Sequence, residues 1–168
     1  MHFNLKQIEI KELKLVLDMF KDAAIQISKK NIDHWQYWKN PPPEKVKWVK
    51  DGLKLKQFFF IVSDNKKIMG MVRVLNKDLL YWGDNEDRAC YIHSLTIKEK
   101  FNGLGLGAAV LNEIEKEAIN CDYLRLDCDS KNPQLCSYYV NLGFRKVGEK
   151  KLPLSVYNLY EKQININL

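Results

Sequence analysis

The chain has 168 residues, enough for a single domain with one sizeable hydrophobic core. Its 46% hydrophobic and 29% charged residues are ordinary globular usage, which excludes disorder and fibrous repeats. Twenty-seven basic residues against 21 acidic ones leave a net charge of +6. That surplus suits nucleic acid, a phosphorylated cofactor or an acidic lipid surface alike, and selects none of them.

The N-terminal stretch MHFNLKQIEIKELK has no uninterrupted apolar run, so no secretory signal is expected, and nothing in the chain approaches the ~20 residues of a membrane span. From Lys11 to Ser28 the apolar Leu13, Val16, Leu17, Phe20, Ala24 and Ile27 recur at three and four, the spacing of an amphipathic helix. The segment NIDHWQYWKNPPP follows, and its three consecutive prolines interrupt the helix. Helical spacing resumes over Glu44–Leu53.

The middle of the chain turns to strands. Gln57–Ser63 and Lys67–Leu75 flank Asp64-Asn65-Lys66 as a hairpin. Leu79–Trp82 reads as a further strand, and Cys90–Ile97 as a buried one. A helix is expected after Gly107, then a strand over Tyr123–Cys128 and a helix over Asn132–Leu142 stopped by Gly143. Phe144–Glu149 and Ser155–Lys162 are closing strands. With no repeat and no linker, residues 1–168 read as one domain with α/β crossovers on a single sheet. The four cysteines (Cys90, Cys121, Cys128, Cys136) lack C-x-x-C spacing, and no His pair stands at metal-ligand spacing. They read as free thiols in a reducing cytoplasm, with no metal expected.

FNGLGLGAAV joins the Cys90–Ile97 strand to its helix. Gly103, Gly105 and Gly107 leave a run of backbone N–H groups without side-chain cover at a helix N-terminus, where donors and dipole favour a phosphate or diphosphate. A tight turn alone would also use glycine. Gly103, Gly105 and Ala108 formally satisfy a dinucleotide fingerprint, with Asp122 at the ribose-binding distance, so a nicotinamide-dependent reductase is one alternative. Against it, five residues separate the strand from the first glycine. A basic nucleic-acid-binding domain is a second alternative, although no aromatic-basic surface motif supports it.

Two motifs carry a resemblance. Asn102-Gly103-Leu104-Gly105-Leu106-Gly107 resembles the acetyl-CoA signature Gln/Arg-x-x-Gly-x-Gly/Ala of the GCN5-related N-acetyltransferases, with Asn102 where Gln or Arg is usual. NPQLCSYYVNLGF, from Asn132 to Phe144, resembles that family's Asn-x-x-Ala-x-x-Phe-Tyr-x-x-x-Gly-Phe segment, with Tyr139 at the Tyr. The resemblance implies the GNAT fold: an α/β architecture whose central mixed, mostly antiparallel twisted sheet of six to seven strands is flanked by about four helices. It also implies an acyltransferase moving acetyl from acetyl-CoA to an amine by direct attack in a ternary complex, with no nucleic acid or membrane as partner and a homodimer as a possible assembly.

The same resemblance assigns residues. The loop Asn102–Ala108 (Asn102, Gly103, Leu104, Gly105, Leu106, Gly107, Ala108) takes the diphosphate, and the backbone of Leu95, Thr96 and Ile97 takes the pantetheine arm. Asn132 bonds the cofactor's amide or caps its helix. Tyr139 is the acid that returns a proton to the CoA sulfur, while Tyr138 packs. His93 stands where histone-acetylating members carry a catalytic glutamate and is the candidate base; an imidazole is neutral enough near pH 7 to accept a proton. Trp35, Tyr37 and Trp38 lie in the region that walls the acceptor site in this family, where aromatic rings enclose an ammonium by cation–π contact or pin a loop. Asp127 faces the site or caps the turn at Ser130. Asp84, Glu86 and Asp87 are read as a solvated turn.

Overall fold

The computed structural model describes residues 2–164. Seven strands form one mixed sheet: β1 (Phe3–Gln7), β2 (Phe58–Ser63), β3 (Ile68–Leu75), β4 (Ala89–Ile97), β5 (Tyr123–Asp129), β6 (Arg145–Leu152) and β7 (Ser155–Gln163), in the order β1-β2-β3-β4-β5-β7-β6. β4 and β5 run parallel, whereas β1–β2, β2–β3, β5–β7 and β6–β7 are antiparallel. The helices are α1 (Leu13–Ser28), α2 (Pro43–Lys54), α3 (Leu79–Trp82), α4 (Leu106–Glu117) and α5 (Pro133–Asn141). The backbone packing divides into two compact units, Met1–Arg73 with Ser94–Ala109, and Val74–His93 with Val110–Leu168. Both β4 and α4 run from one unit into the other.

The first unit is organised by Phe20. The stripe expected on α1 is buried at Val16, Met19, Phe20 and Ala24. Trp38 stacks on Phe20 at 4.0 Å between ring centroids, and Trp35 and Phe58 meet the same ring edge-on. The proline run interrupts the helical path and then starts α2, because a proline in the first turn lacks only an N–H that would have no partner there. β1 was not foreseen. Its short, mostly exposed sequence FNLKQ has the look of a lead-in, and the sheet edge it occupies asks for little apolar surface.

The second unit is built on β5. All seven residues of β5 pair with β7 on one side, and Tyr123–Leu126 pair with Ala89–Ile92 of β4 on the other. Arg125 is buried at the centre of this unit. It donates to Glu161 at 2.9 Å, Asp87 at 2.7 Å and the Tyr91 hydroxyl at 3.1 Å, and its guanidinium lies 4.6 Å from the Trp82 ring centroid. The charge is matched and every side of the fork is used, as a buried arginine requires. Leu79–Trp82, expected as a strand, is a one-turn helix. Asp78 caps it, its Oδ1 accepting from the Tyr81 N–H at 3.3 Å, and Leu79 and Leu80 are exposed, so the apolar run has no core face to fill.

One close approach fixes the end of β4. A Cβ at Gly70 would lie 2.2 Å from the Thr96 carbonyl oxygen, well inside contact distance. Gly70→Ala is therefore expected to lower stability by about 1–3 kcal/mol, as overpacking does. Chemical denaturation of the variant checks this.

Candidate active site

β4 changes character halfway along its length. Its ladder with β5 ends at the Ile92–Leu126 pair, and Ser94 then takes a left-handed backbone with φ 55°. A non-glycine residue in that region costs on the order of 1–3 kcal/mol and is held by its surroundings. Leu95, Thr96 and Ile97 follow, outside the β5 ladder. Neither the break nor Ser94 has a sequence signal.

His93 precedes this break. Its Nε2 is 2.7 Å from Asp78 Oδ2, and its Nδ1 is 3.5 Å from Asp127 Oδ1. The three side chains are 14%, 6% and 8% exposed respectively. The Tyr81 ring lies 5.3 Å from the imidazole and meets Tyr157 edge-on. Asp127 Oδ1 is buried with no hydrogen-bond partner, since 3.5 Å is an electrostatic contact rather than a good bond. Burial pushes the Asp127 carboxyl up to about 6; the imidazole opposes that rise and the Asp78 charge adds to it. The three residues offer ligand-type atoms within 4.8 Å of one another. The two carboxylates, however, meet different ring nitrogens, an arrangement suited to sharing protons.

Asp78 is absent from the sequence-based site. Its signal was present, an Asp directly before a short apolar turn, but the strand reading of Leu79–Trp82 concealed it. Asp127 was expected either to face a site or to cap the Ser130 turn. It is Asp129 that does the capping, accepting from the Lys131 N–H at 2.9 Å and the Ser155 hydroxyl at 2.7 Å.

Tyr139 is buried on α5, its ring against Phe144 and Tyr160. Burial raises the phenol well above its usual range, with smaller contributions from Cys128 and Asp127. Asn132 caps α5, accepting from the Leu135 N–H at 3.1 Å, with Pro133 in the first turn. Tyr138, expected to pack, is 37% exposed. Cys136, one turn before Tyr139, brings its sulfur to 3.3 Å from that of Cys128.

In the glycine turn, Gly103 and Gly105 have φ of 76° and 72°, and a Cβ on either would meet nothing within 4 Å. The backbone conformation, not crowding, is what asks for glycine. α4 starts at Leu106, earlier than the expected start after Gly107, so Gly107 and Ala108 lie in its first turn. The Ala109 N–H bonds the Gly105 carbonyl, and the N–H groups before it in the turn have no intrahelical acceptor. Leu104 is exposed, and Asn102 Nδ2 lies 3.5 Å from Gln26 Oε1. In the same unit a cavity of about 530 Å³ is lined in part by Gln26, Lys29, Thr96, Lys98 and Lys100, and the buried Thr96 hydroxyl has no hydrogen-bond partner.

Other expected site residues are engaged elsewhere. Trp38 is 3% exposed, stacked in the core on Phe20, and Trp35 packs against the same ring. For Trp38 these contacts fit the loop-pinning alternative, since its ring faces the core. Asp122, the acid of the dinucleotide alternative, is ion-paired with Arg88, and Asp87 is paired with Arg125.

Residues 27–144 match the Acetyltransferase (GNAT) family, and the chain belongs to that family. It is 30% identical over 112 residues to YesJ, an uncharacterized N-acetyltransferase of Bacillus subtilis, an alignment covering 62% of this chain and 61% of that protein. The fold matches a GNAT-family acetyltransferase from Listeria monocytogenes at TM-score 0.78 and 22% identity, covering 96% of this chain and 94% of the other. It also matches the spermidine N-acetyltransferase of Vibrio cholerae, solved with CoA and spermine, at TM-score 0.67 and 14% identity, covering 96% and 95%. Among the described residues no helix is long and apolar enough to cross a membrane.

The raised Asp127 carboxyl makes a stability prediction. The folded protein holds this proton more tightly than the unfolded chain, so the contribution falls as pH rises from about 4 through about 6. Over that window the loss is on the order of 2–3 kcal/mol. Denaturation at pH 4.5 and 7.5 should show the wild type gaining on Asp127→Asn at the lower pH, and an unchanged difference would refute this.

Proposed function

We propose that this chain transfers the acetyl group of acetyl-CoA to a primary amine. The carrying observation is the glycine turn at the start of α4, where two positive-φ glycines and the unbonded first-turn N–H groups leave donors for a diphosphate. Lys29, Lys98 and Lys100 line the cavity in the same unit together with Asp22 and Glu99, Lys29 being paired with Glu99 at 3.3 Å, which leaves a surplus of one positive charge. Leu95, Thr96 and Ile97, outside the β5 ladder, suit a pantetheine arm bound as an added strand. Asp122, the ribose partner a nicotinamide dinucleotide would use, is engaged in an exposed ion pair with Arg88.

An alkylamine is almost wholly protonated at pH 7, so the reaction needs a proton acceptor before the nitrogen attacks. His93, with its carboxylate neighbours, takes that role. The thioester carbon gains the C–N bond and loses the C–S bond, and Tyr139, a protonated phenol before the reaction, supplies the proton that the CoA sulfur takes up. Asp127 is the acceptor-facing carboxylate in this reading. The free thiols favour a reducing compartment, the cytoplasm.

Two measurements test the reading. Titration calorimetry should show acetyl-CoA binding to the wild type, no binding of NADPH, and at least roughly tenfold weaker acetyl-CoA binding by Gly105→Val, whose side chain is strained at positive φ. A panel of amines assayed for CoA release should identify an acceptor. With it, His93→Gln and Tyr139→Phe should each lower kcat by roughly tenfold or more. Absence of acetyl-CoA binding would overturn the assignment.

A further inference from the structure

His93 is not an isolated imidazole. Asp78 belongs to the cap of α3, and its two oxygens have separate duties: Oδ1 accepts from the Tyr81 N–H and Oδ2 faces His93 Nε2 at 2.7 Å. A carboxylate only accepts, so the proton of this bond resides on Nε2. Nδ1 is thereby the nitrogen turned toward Asp127, whose facing oxygen has no hydrogen-bond partner and whose side chain is more than nine-tenths buried. The Tyr81 ring closes one side of the imidazole, and Tyr157 backs Tyr81. The titratable groups around His93 are thus Asp78 and Tyr81 from the α3 segment, Asp127 from β5 and, behind Tyr81, Tyr157 from β7.

We propose that Asp78 is a positioning residue for the transfer reaction: by accepting the Nε2 proton it fixes the tautomer and orientation of His93, so that Nδ1 and Asp127 act together as one proton-accepting site. This rests on the acetyl-transfer reading above. The ammonium form of the acceptor gives one proton to the Asp127–His93 pair, and the freed lone pair forms the C–N bond as the carbonyl π electrons move to oxygen, giving a tetrahedral intermediate. The second amine proton is lost as the tetrahedral intermediate collapses and the C–S bond breaks; Tyr139 delivers its own proton to the CoA sulfur, and the second amine proton restores it, so the phenol ends as it began. The pair returns its proton to water. Neither carboxylate would do this alone: Asp78 is committed to its two donors, and Asp127 has no donor to hold it until a proton is shared with Nδ1.

Nuclear magnetic resonance tests the pairing without any acceptor. With three histidines in the chain, the His93 ring signals are assigned by their loss in His93→Gln. The wild type should show a slowly exchanging, downfield Nε2–H proton. It should be lost in Asp78→Ala and equally in Asp78→Asn, whose single oxygen keeps the helix cap and whose amide nitrogen, a donor, then faces Nε2. A wild type lacking the signal, or variants that retain it unchanged, would overturn the proposal. Kinetics then separate positioning from folding, using ethylamine, protonated at neutral pH, and 2,2,2-trifluoroethylamine, which is largely unprotonated. Asp78→Asn should slow acetylation of ethylamine by roughly tenfold or more while the fluorinated amine loses less than about threefold, since only the first needs the base. Equal losses on both amines would also overturn it. A wild type that fails to bind acetyl-CoA removes the transferase reading instead, and the resonance experiment still decides whether Asp78 holds His93.

Discussion

Withdrawing an imidazole and two carboxylates from water is costly unless the charges are matched and the protons shared, because each unmatched buried ion forfeits several kcal/mol of hydration. The second unit meets that requirement only in part at Asp78, His93 and Asp127, and the elements around the three residues hold them in place. The one-turn α3 exists where Asp78 caps it. β5 is anchored along its whole length by β7, so Asp127 stands on backbone that cannot yield. Arg125, two residues before Asp127 on the same strand, draws β4, β7 and the α3 segment together through Tyr91, Glu161 and Trp82. The rivet is fully compensated, and the neighbouring cluster is left one hydrogen bond short at Asp127 Oδ1. That contrast distinguishes a structural charge from a reactive one.

The first unit solves a different problem. It has to expose backbone, which a protein ordinarily pairs. Ser94 turns the chain out of the regular strand conformation, and Gly103 and Gly105 take left-handed dihedrals where no neighbour demands it. The glycine-free stretch Leu95–Ile97 and the glycine-rich turn thus present main-chain groups by separate devices. The Phe20 cluster of aromatic rings gives α1 and α2 the rigidity to support them.

Much of this was legible in the residues. Long periodic stretches gave α1 and α2, and the two motifs gave the glycine turn and α5 with Asn132 at its cap. What escaped was short or depended on distant partners. β1 is an edge strand of five residues with little apolar content. α3 is one turn whose strand-like composition, Leu-Leu-Tyr-Trp, outweighed the capping aspartate before it. Asp78 and His93 are fifteen residues apart, and no periodicity links them. Trp38 shows how sequence leaves two roles open: an aromatic in a loop suits a ligand or a core contact, and its packing on Phe20 shows where its surface is spent.

The placement of the four tryptophans has an optical consequence. Trp35, Trp38 and Trp48 all surround Phe20 in the first unit, whereas Trp82 stands on α3 against Arg125 and Tyr91. Replacing the first three by phenylalanine would leave one indole emitter, four residues from Asp78. Its emission would report on the immediate surroundings of the proton-sharing cluster without any added dye.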